Sequence, residues 1–168
     1  FRFLFNMAGE SALIGYTDGV RALDESGNLG ASLVDIEPAD LHGAAWKLEL
    51  PEGSGAGDKP NLLVERSLFP DAVLAVRNPW FGVLVMPEVM RQIARRIASN
   101  VDALEDSESW MFSWGEFISG LGIEAPSPDI QDDEAAQGDW SDLVVERFAR
   151  KTAFQTQLAA LLEMEGNK

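Results

Sequence analysis

Through much of its first half the chain alternates apolar and polar residues with a period of two. Phe1 to Phe5, Ala12 to Tyr16, Val20 to Leu23 and Leu29 to Ile36 are short segments of strand-like pattern or β-branched content, as half-buried strands require. Thr17-Asp18-Gly19 and Glu25-Ser26-Gly27-Asn28 lie between them. Gly and Asn accept the positive φ of tight turns, so a hairpin is predicted across 20–35. Ala45 to Leu50 places Trp46, Leu48 and Leu50 on one side and Lys47 and Glu49 on the other; Leu62 to Leu68 and Ala72 to Val76 supply further strands. Trp80 to Met86 reads as a last buried strand. Nothing between these segments is long enough for the crossover helix that parallel pairing demands, so the sheet, over about 1–86, is expected to be mainly antiparallel.

From Pro87 the period changes. Proline favours the first helical position, and Met90, Ile93, Ala94, Ile97, Val101 and Leu104 then recur at steps of three and four, with Arg91, Gln92, Arg95 and Arg96 opposite. This predicts a helix over about 87–104. Ser113 and Glu116 have capping-box spacing, and Trp110, Trp114, Phe117, Ile118 and Leu121 form a second stripe before Gly120 and Gly122, predicting a helix over about 109–121. Gly122 to Gly138, with Pro126, Pro128 and five acids, reads as an exposed loop. A third helix is predicted over about 141–165, capped by Ser141 or Asp139, with Val144, Phe148, Leu158, Leu161 and Leu162 on its apolar face. Its length of about 36 Å would match the diameter of a compact chain of this size, so it either crosses the domain or protrudes. Strands first and helices second predict an α+β fold.

The 168 residues suit a single domain, β-rich over 1–86 and acidic and helical over 87–168. The chain opens at Phe1 inside a strand-like pattern, as expected of a segment cut from a longer polypeptide. At 46% hydrophobic residues it is expected to fold, and its most apolar stretch, Trp80 to Val89, is far too short to cross a bilayer. Cysteine is absent and His42 is the single histidine. Disulfides, thiolate chemistry and sites needing two imidazoles are thereby excluded. With no secretory signal at its start, the chain is expected in the cytoplasm.

Candidate chemistry fails on inspection, and no catalytic, cofactor or metal-binding residue is assigned. Gly9-Glu10-Ser11-Ala12 begins like a nucleophile elbow, but Leu13 stands where the second glycine belongs. Gly53-Ser54-Gly55-Ala56-Gly57 lacks both Walker spacing and a following helix to hold a phosphate, and reads as a hairpin loop. An EF-hand anchored at Gly138 would place Val144 where a bidentate glutamate is needed. Pro70-Asp71 opens a nuclease-like pattern, yet no lysine follows before Lys151. His42 beside Asp40 has no nucleophile or second ligand in register and reads as a loop histidine.

Charge changes the picture most. The chain carries 28 acids against 13 bases, a net charge of −15, which argues against nucleic-acid or anionic-membrane binding and for a cationic partner. Up to Arg96 there are 9 bases and 13 acids; beyond it, 4 and 15. The fifty residues between Arg96 and Arg147 contain no Lys, Arg or His and thirteen acids. Two carboxylates about 7 Å apart in water repel by roughly 0.6 kcal/mol, so such a gathering opposes folding unless something offsets it. Trp110, Trp114 and Trp140 fall in the same stretch, and aromatic anchors among charges of one sign would suit recognition of a basic protein. The expected binding residues are Asp102, Glu105, Asp106, Glu108, Trp110, Trp114, Asp129, Asp132, Asp133, Glu134, Asp139 and Trp140. Helical spacing is equally the pattern of a core stripe, acidic runs also serve as solvated loops, and Arg91, Arg95 and Arg96 could neutralise part of the patch internally.

Three functions stay open. The leading reading is a non-enzymatic acidic interaction domain that binds or occludes a basic protein partner as an inhibitor, immunity-type protein or adaptor. The second is a structural or assembly subunit, burying the long last helix and Trp80 to Val85 against copies of itself or a larger complex. The third is an enzyme with an unrecognised carboxylate-based site.

Overall fold

A computed structural model describes residues 32–53 and 58–166. The segments predicted as strands before Leu29, most of the 20–35 hairpin, the Gly9 to Ala12 motif and residues 54–57 of the glycine-rich loop lie outside these. The fold is α+β: a small three-stranded sheet followed by helices. Its contacts divide into two units, 1–52 with 59–78, and 53–58 with 79–168.

In the sheet unit, β1 (Asp35–Ala39), β2 (Trp46–Glu49) and β3 (Asn61–Glu65) lie in the order β1-β3-β2. β2 has the expected alternation, half-buried Trp46 and Leu48 against exposed Lys47 and Glu49. It pairs antiparallel with β3, whereas β1 pairs with β3 in parallel, so the sheet is mixed. The return path that a parallel pair needs is supplied by β2 itself, running backward at the far edge, so no crossover helix is required. The register aligns Ile36 and Leu48 on Leu62, and Pro38 and Trp46 on Val64. Leu62, Val64 and Ile36 are buried.

Residues 72–76, expected as a strand, belong to α1 (Ala72–Arg77). Asp71 decides this: its carboxylate accepts from the Leu74 N–H at 2.9 Å and caps the helix. The turn between β1 and β2 carries His42 at φ 52 and Gly43 at φ 108.

The helical unit opens with α2 (Pro79–Ala98). Trp80 to Met86 is therefore helical, not the last strand, and Pro79 rather than Pro87 takes the first position. A continuous apolar run has no period of its own, and here burial chooses: Phe81, Val83, Val85, Met86, Val89, Met90 and Ile93 all enter the core. Pro87 has no N–H for the helix, a cost of about 3 kcal/mol or more that this burial offsets. A 3₁₀ turn (Val101–Leu104) follows, so the helix predicted to 104 ends at Ala98.

α3 (Trp110–Gly120) matches the expected second helix, but its cap is Ser109, whose hydroxyl accepts from the Met111 N–H at 3.1 Å, rather than Ser113. Gly122, at φ +79, turns the chain after it. The loop that follows holds a short 3₁₀ turn at Pro128–Ile130.

The predicted 141–165 helix is two helices, α4 (Glu134–Lys151) and α5 (Phe154–Gly166). α4 starts earlier because Asp133 caps it, accepting from the N–H groups of Ala135 and Ala136 at 3.0 and 3.1 Å. It stops where Thr152 folds its hydroxyl back onto the Phe148 carbonyl at 2.8 Å and Ala153 adopts φ 55. The break resets the phase of the apolar face. At about 100° per residue, Phe148 and Phe154 in one helix would point roughly 120° apart, but both are buried. α2 packs mainly on α4 and also touches α5. Edge-to-face pairs link Trp114 to Phe117, Phe117 to Phe148 and Phe148 to Phe154, with centroids 5.5, 6.4 and 5.3 Å apart.

Candidate partner-binding surface of the helical unit

All thirteen carboxylates between Arg96 and Arg147 are exposed. Asp102 lies in the 3₁₀ turn, and Glu105, Asp106 and Glu108 in the chain leading to α3. Glu116 is on α3, Glu124 and Asp129 follow it, Asp132 and Asp133 precede α4, and Glu134, Asp139, Asp142 and Glu146 ride on α4.

Several have local duties. Asp142 pairs with Arg91 of α2, which also holds Glu88 at 3.2 Å, and Glu146 pairs with Arg150 one turn on at 2.6 Å. Asp106 accepts from the Glu108 N–H at 3.0 Å, Asp129 from the Ser127 hydroxyl at 3.3 Å, and Asp133 caps α4. Asp133 and Glu134 also sit at the positive end of the helix dipole. Lys151 is turned to the C-terminus of α3, where it donates to the Gly120 carbonyl at 2.7 Å.

The tryptophans divide. Trp114 is wholly buried and Trp110 is 5% exposed, with its indole N–H donating to the Gly53 carbonyl at 3.2 Å. These two form the core stripe that helical spacing equally allowed, and they cannot serve as surface anchors. The geometric reason is a shared apolar face with Met111, Phe117 and Ile118, all buried. Trp140 is half-buried, its indole N–H donating to the Glu124 carbonyl at 3.2 Å.

Trp140 also lines a cleft of about 370 Å³. Ile97, Ile118 and Ile123, all nearly inaccessible, contribute to its lining, with Leu104, Phe112, Gly115, Ala125 and Pro126 as further apolar surface. Ser119 and Glu116 bring the polar side chains. Gly115 sets how closely Leu104 approaches α3, since a Cβ there would meet Leu104 Cδ2 at 2.7 Å. The sequence patterns did not single out this cleft; a glycine inside a helical stripe was its one visible trace.

In the sheet unit, His42 Nδ1 lies 3.3 Å from Asp40 in an open turn, with 87% of the histidine side chain exposed. Nearby, Glu65 accepts from the N–H groups of Leu41 at 2.8 Å and Ser67 at 3.1 Å. These bonds hold its carboxyl below the ordinary range, chiefly through Leu41 and then Ser67, with His42 adding a small pull. Among the described residues no group of three or more His, Asp or Glu could hold a metal ion, and no helix is long and apolar enough to cross a membrane.

No known protein family, curated protein or solved structure matches the chain.

Proposed function

We propose that the helical unit is a non-enzymatic recognition domain for a basic protein partner, which it binds or occludes in the manner of an inhibitor, immunity-type protein or adaptor. One observation carries the reading: thirteen carboxylates in a stretch without a single cation all stand in solvent. Their summed field would accelerate encounter with a cationic surface and repel nucleic acid and anionic membrane. Of the expected binding residues, Asp102, Glu105, Asp106, Glu108, Asp129, Asp132, Asp133, Glu134, Asp139 and Trp140 stay in the proposed surface; Trp110 and Trp114 leave it.

The test is capture of basic protein from native-host extract, eluted by salt, followed by association kinetics on the captured protein. Replacing Asp132, Asp133 and Glu134 by Asn, Asn and Gln should slow association severalfold at low salt and matter less as salt rises. Asparagine at 133 still caps α4, so folding is preserved. Unchanged on-rates across that series would remove the proposal.

A second reading, self-association, draws on Leu84, Leu162 and Met164, which are 60%, 57% and 60% exposed. A monomer by light scattering at both dilute and concentrated protein would count against it.

A further inference from the structure

We infer that the cleft formed by Leu104, α3, Ile123 to Pro126 and Trp140 receives the apolar anchor residues of a basic amphipathic helix carried by a partner protein. The inference rests on the proposed acidic recognition surface and specifies how a partner would be held there.

Three features of the cleft lead to this occupant. Its volume, about 370 Å³, is that of a binding cleft rather than a packing flaw. Its lining is mainly aliphatic and aromatic, which a hydrated lysine or arginine alone would not fill favourably; the guest must bring apolar side chains. Finally, every charged residue from Val101 to Pro126 is acidic, and one of them, Glu116, lines the cleft itself. Glu105, Glu124 and Asp139 adjoin the lining residues Leu104, Ile123 and Trp140 in the chain, and all three are exposed. A guest that satisfies both demands has an apolar stripe flanked by cations, the pattern of a basic amphipathic helix.

An extended peptide fits less well. Strand addition needs an open sheet edge with unpaired backbone groups, whereas the residues around this cleft come from α2, a 3₁₀ turn, α3 and α4 and a proline-containing loop. Side chains inserted at i, i+3 and i+4 from a guest helix are the mode that such walls admit. Trp140 donates its indole N–H to the Glu124 carbonyl at 3.2 Å and offers an aromatic face with only two side-chain torsions to order.

The experiment uses the full chain, ¹⁵N-labelled, and synthetic peptides of about 18 residues, long enough to form helix on binding. One peptide has a leucine stripe at helical spacing and lysine elsewhere, a second scrambles that composition, and a third keeps the stripe but replaces lysine by glutamine. The striped lysine peptide should bind about tenfold or more tightly than its scramble and shift the indole N–H resonance of Trp140. Ser119→Trp, which fills the cleft from an exposed position on α3, should abolish that advantage without changing affinity for the scramble. Gly115→Ala is a second variant: its Cβ would clash with Leu104 at 2.7 Å, so two lining residues must shift, and it should weaken binding of the striped peptide.

Equal, salt-sensitive binding of striped and scrambled peptides would overturn the cleft while leaving the acidic surface standing. No binding by either lysine peptide at low salt would overturn the proposed function and this inference with it. Equal affinity for the glutamine peptide would overturn the basic chemistry of the guest. A Trp140 resonance that moves with protein concentration alone would assign the cleft to a second copy of the chain.

Discussion

The two units treat negative charge to different degrees. In the sheet unit carboxylates are answered close at hand: Asp35 by Lys59 at 3.1 Å, Glu49 by Lys47 at 2.6 Å, Asp40 by His42, and Glu65 by two backbone N–H groups. In the helical unit Arg91 and Arg150 answer Asp142 and Glu146, and Asp106, Asp129 and Asp133 accept from nearby N–H or hydroxyl groups, while the other eight acids between Arg96 and Arg147 stand in water. A locally answered carboxylate shapes a turn or strand; an unanswered one projects its field outward and has to be tolerated by the core beneath. The helical unit tolerates it through a chain of four edge-to-face aromatic rings and a deeply buried α2.

The sharpest way to break that comparison is to weaken this aromatic core. Trp114→Ala should cost about 3–5 kcal/mol at low and high salt alike, while wild type and variant should both lose stability at low salt, where the exposed acids repel most strongly. Denaturant titrations at two ionic strengths would check both statements. A smaller effect concerns the joint between α4 and α5. Ala153→Gly relieves a positive φ at the position where glycine is favoured and should stabilise by roughly 0.5–1 kcal/mol after the added freedom of the unfolded chain is counted, visible as a higher Tm.

The smallest effect sharpens the sheet side. Glu65 has its carboxyl held below the ordinary value, so its contribution is present above the unfolded-state pKa and is lost as pH falls through the lower folded-state value. Glu65→Gln should flatten that part of the acid limb and speed amide exchange at Leu41. An unaltered acid limb would mean that the two N–H bonds do not persist in solution.

Elements with a clear period were legible in the residues, and elements defined by a competing contact were not. The alternation of Trp46 to Glu49 and the stripe of Trp110 to Leu121 led directly to β2 and α3. The run from Trp80 to Met86 carried no period, so its helical state depended on burial beyond its own sequence. A single aspartate, Asp71, turned an apparent strand into α1. The parallel pairing of β1 and β3 was hidden because β2, though adjacent in sequence to both, pairs only with β3. At the surface, charge clustering was legible because it is compositional; which tryptophans faced outward was not, since one spacing serves both core and interface.

The 3₁₀ turn that supplies Leu104 has a mechanical consequence. It is a single turn whose backbone bonds are short-range, Ala103 N–H to the Asn100 carbonyl at 3.0 Å and Glu105 N–H to the Asp102 carbonyl at 3.2 Å, and it rests on α2 and α3 with Val101 buried and Leu104 half-buried. It has no run of consecutive i to i−4 bonds like that of the eleven-residue α3 beside it. Of the two walls the turn is therefore the one expected to give first under load, which faster amide exchange at Ala103 and Glu105 than at Ile118 would register.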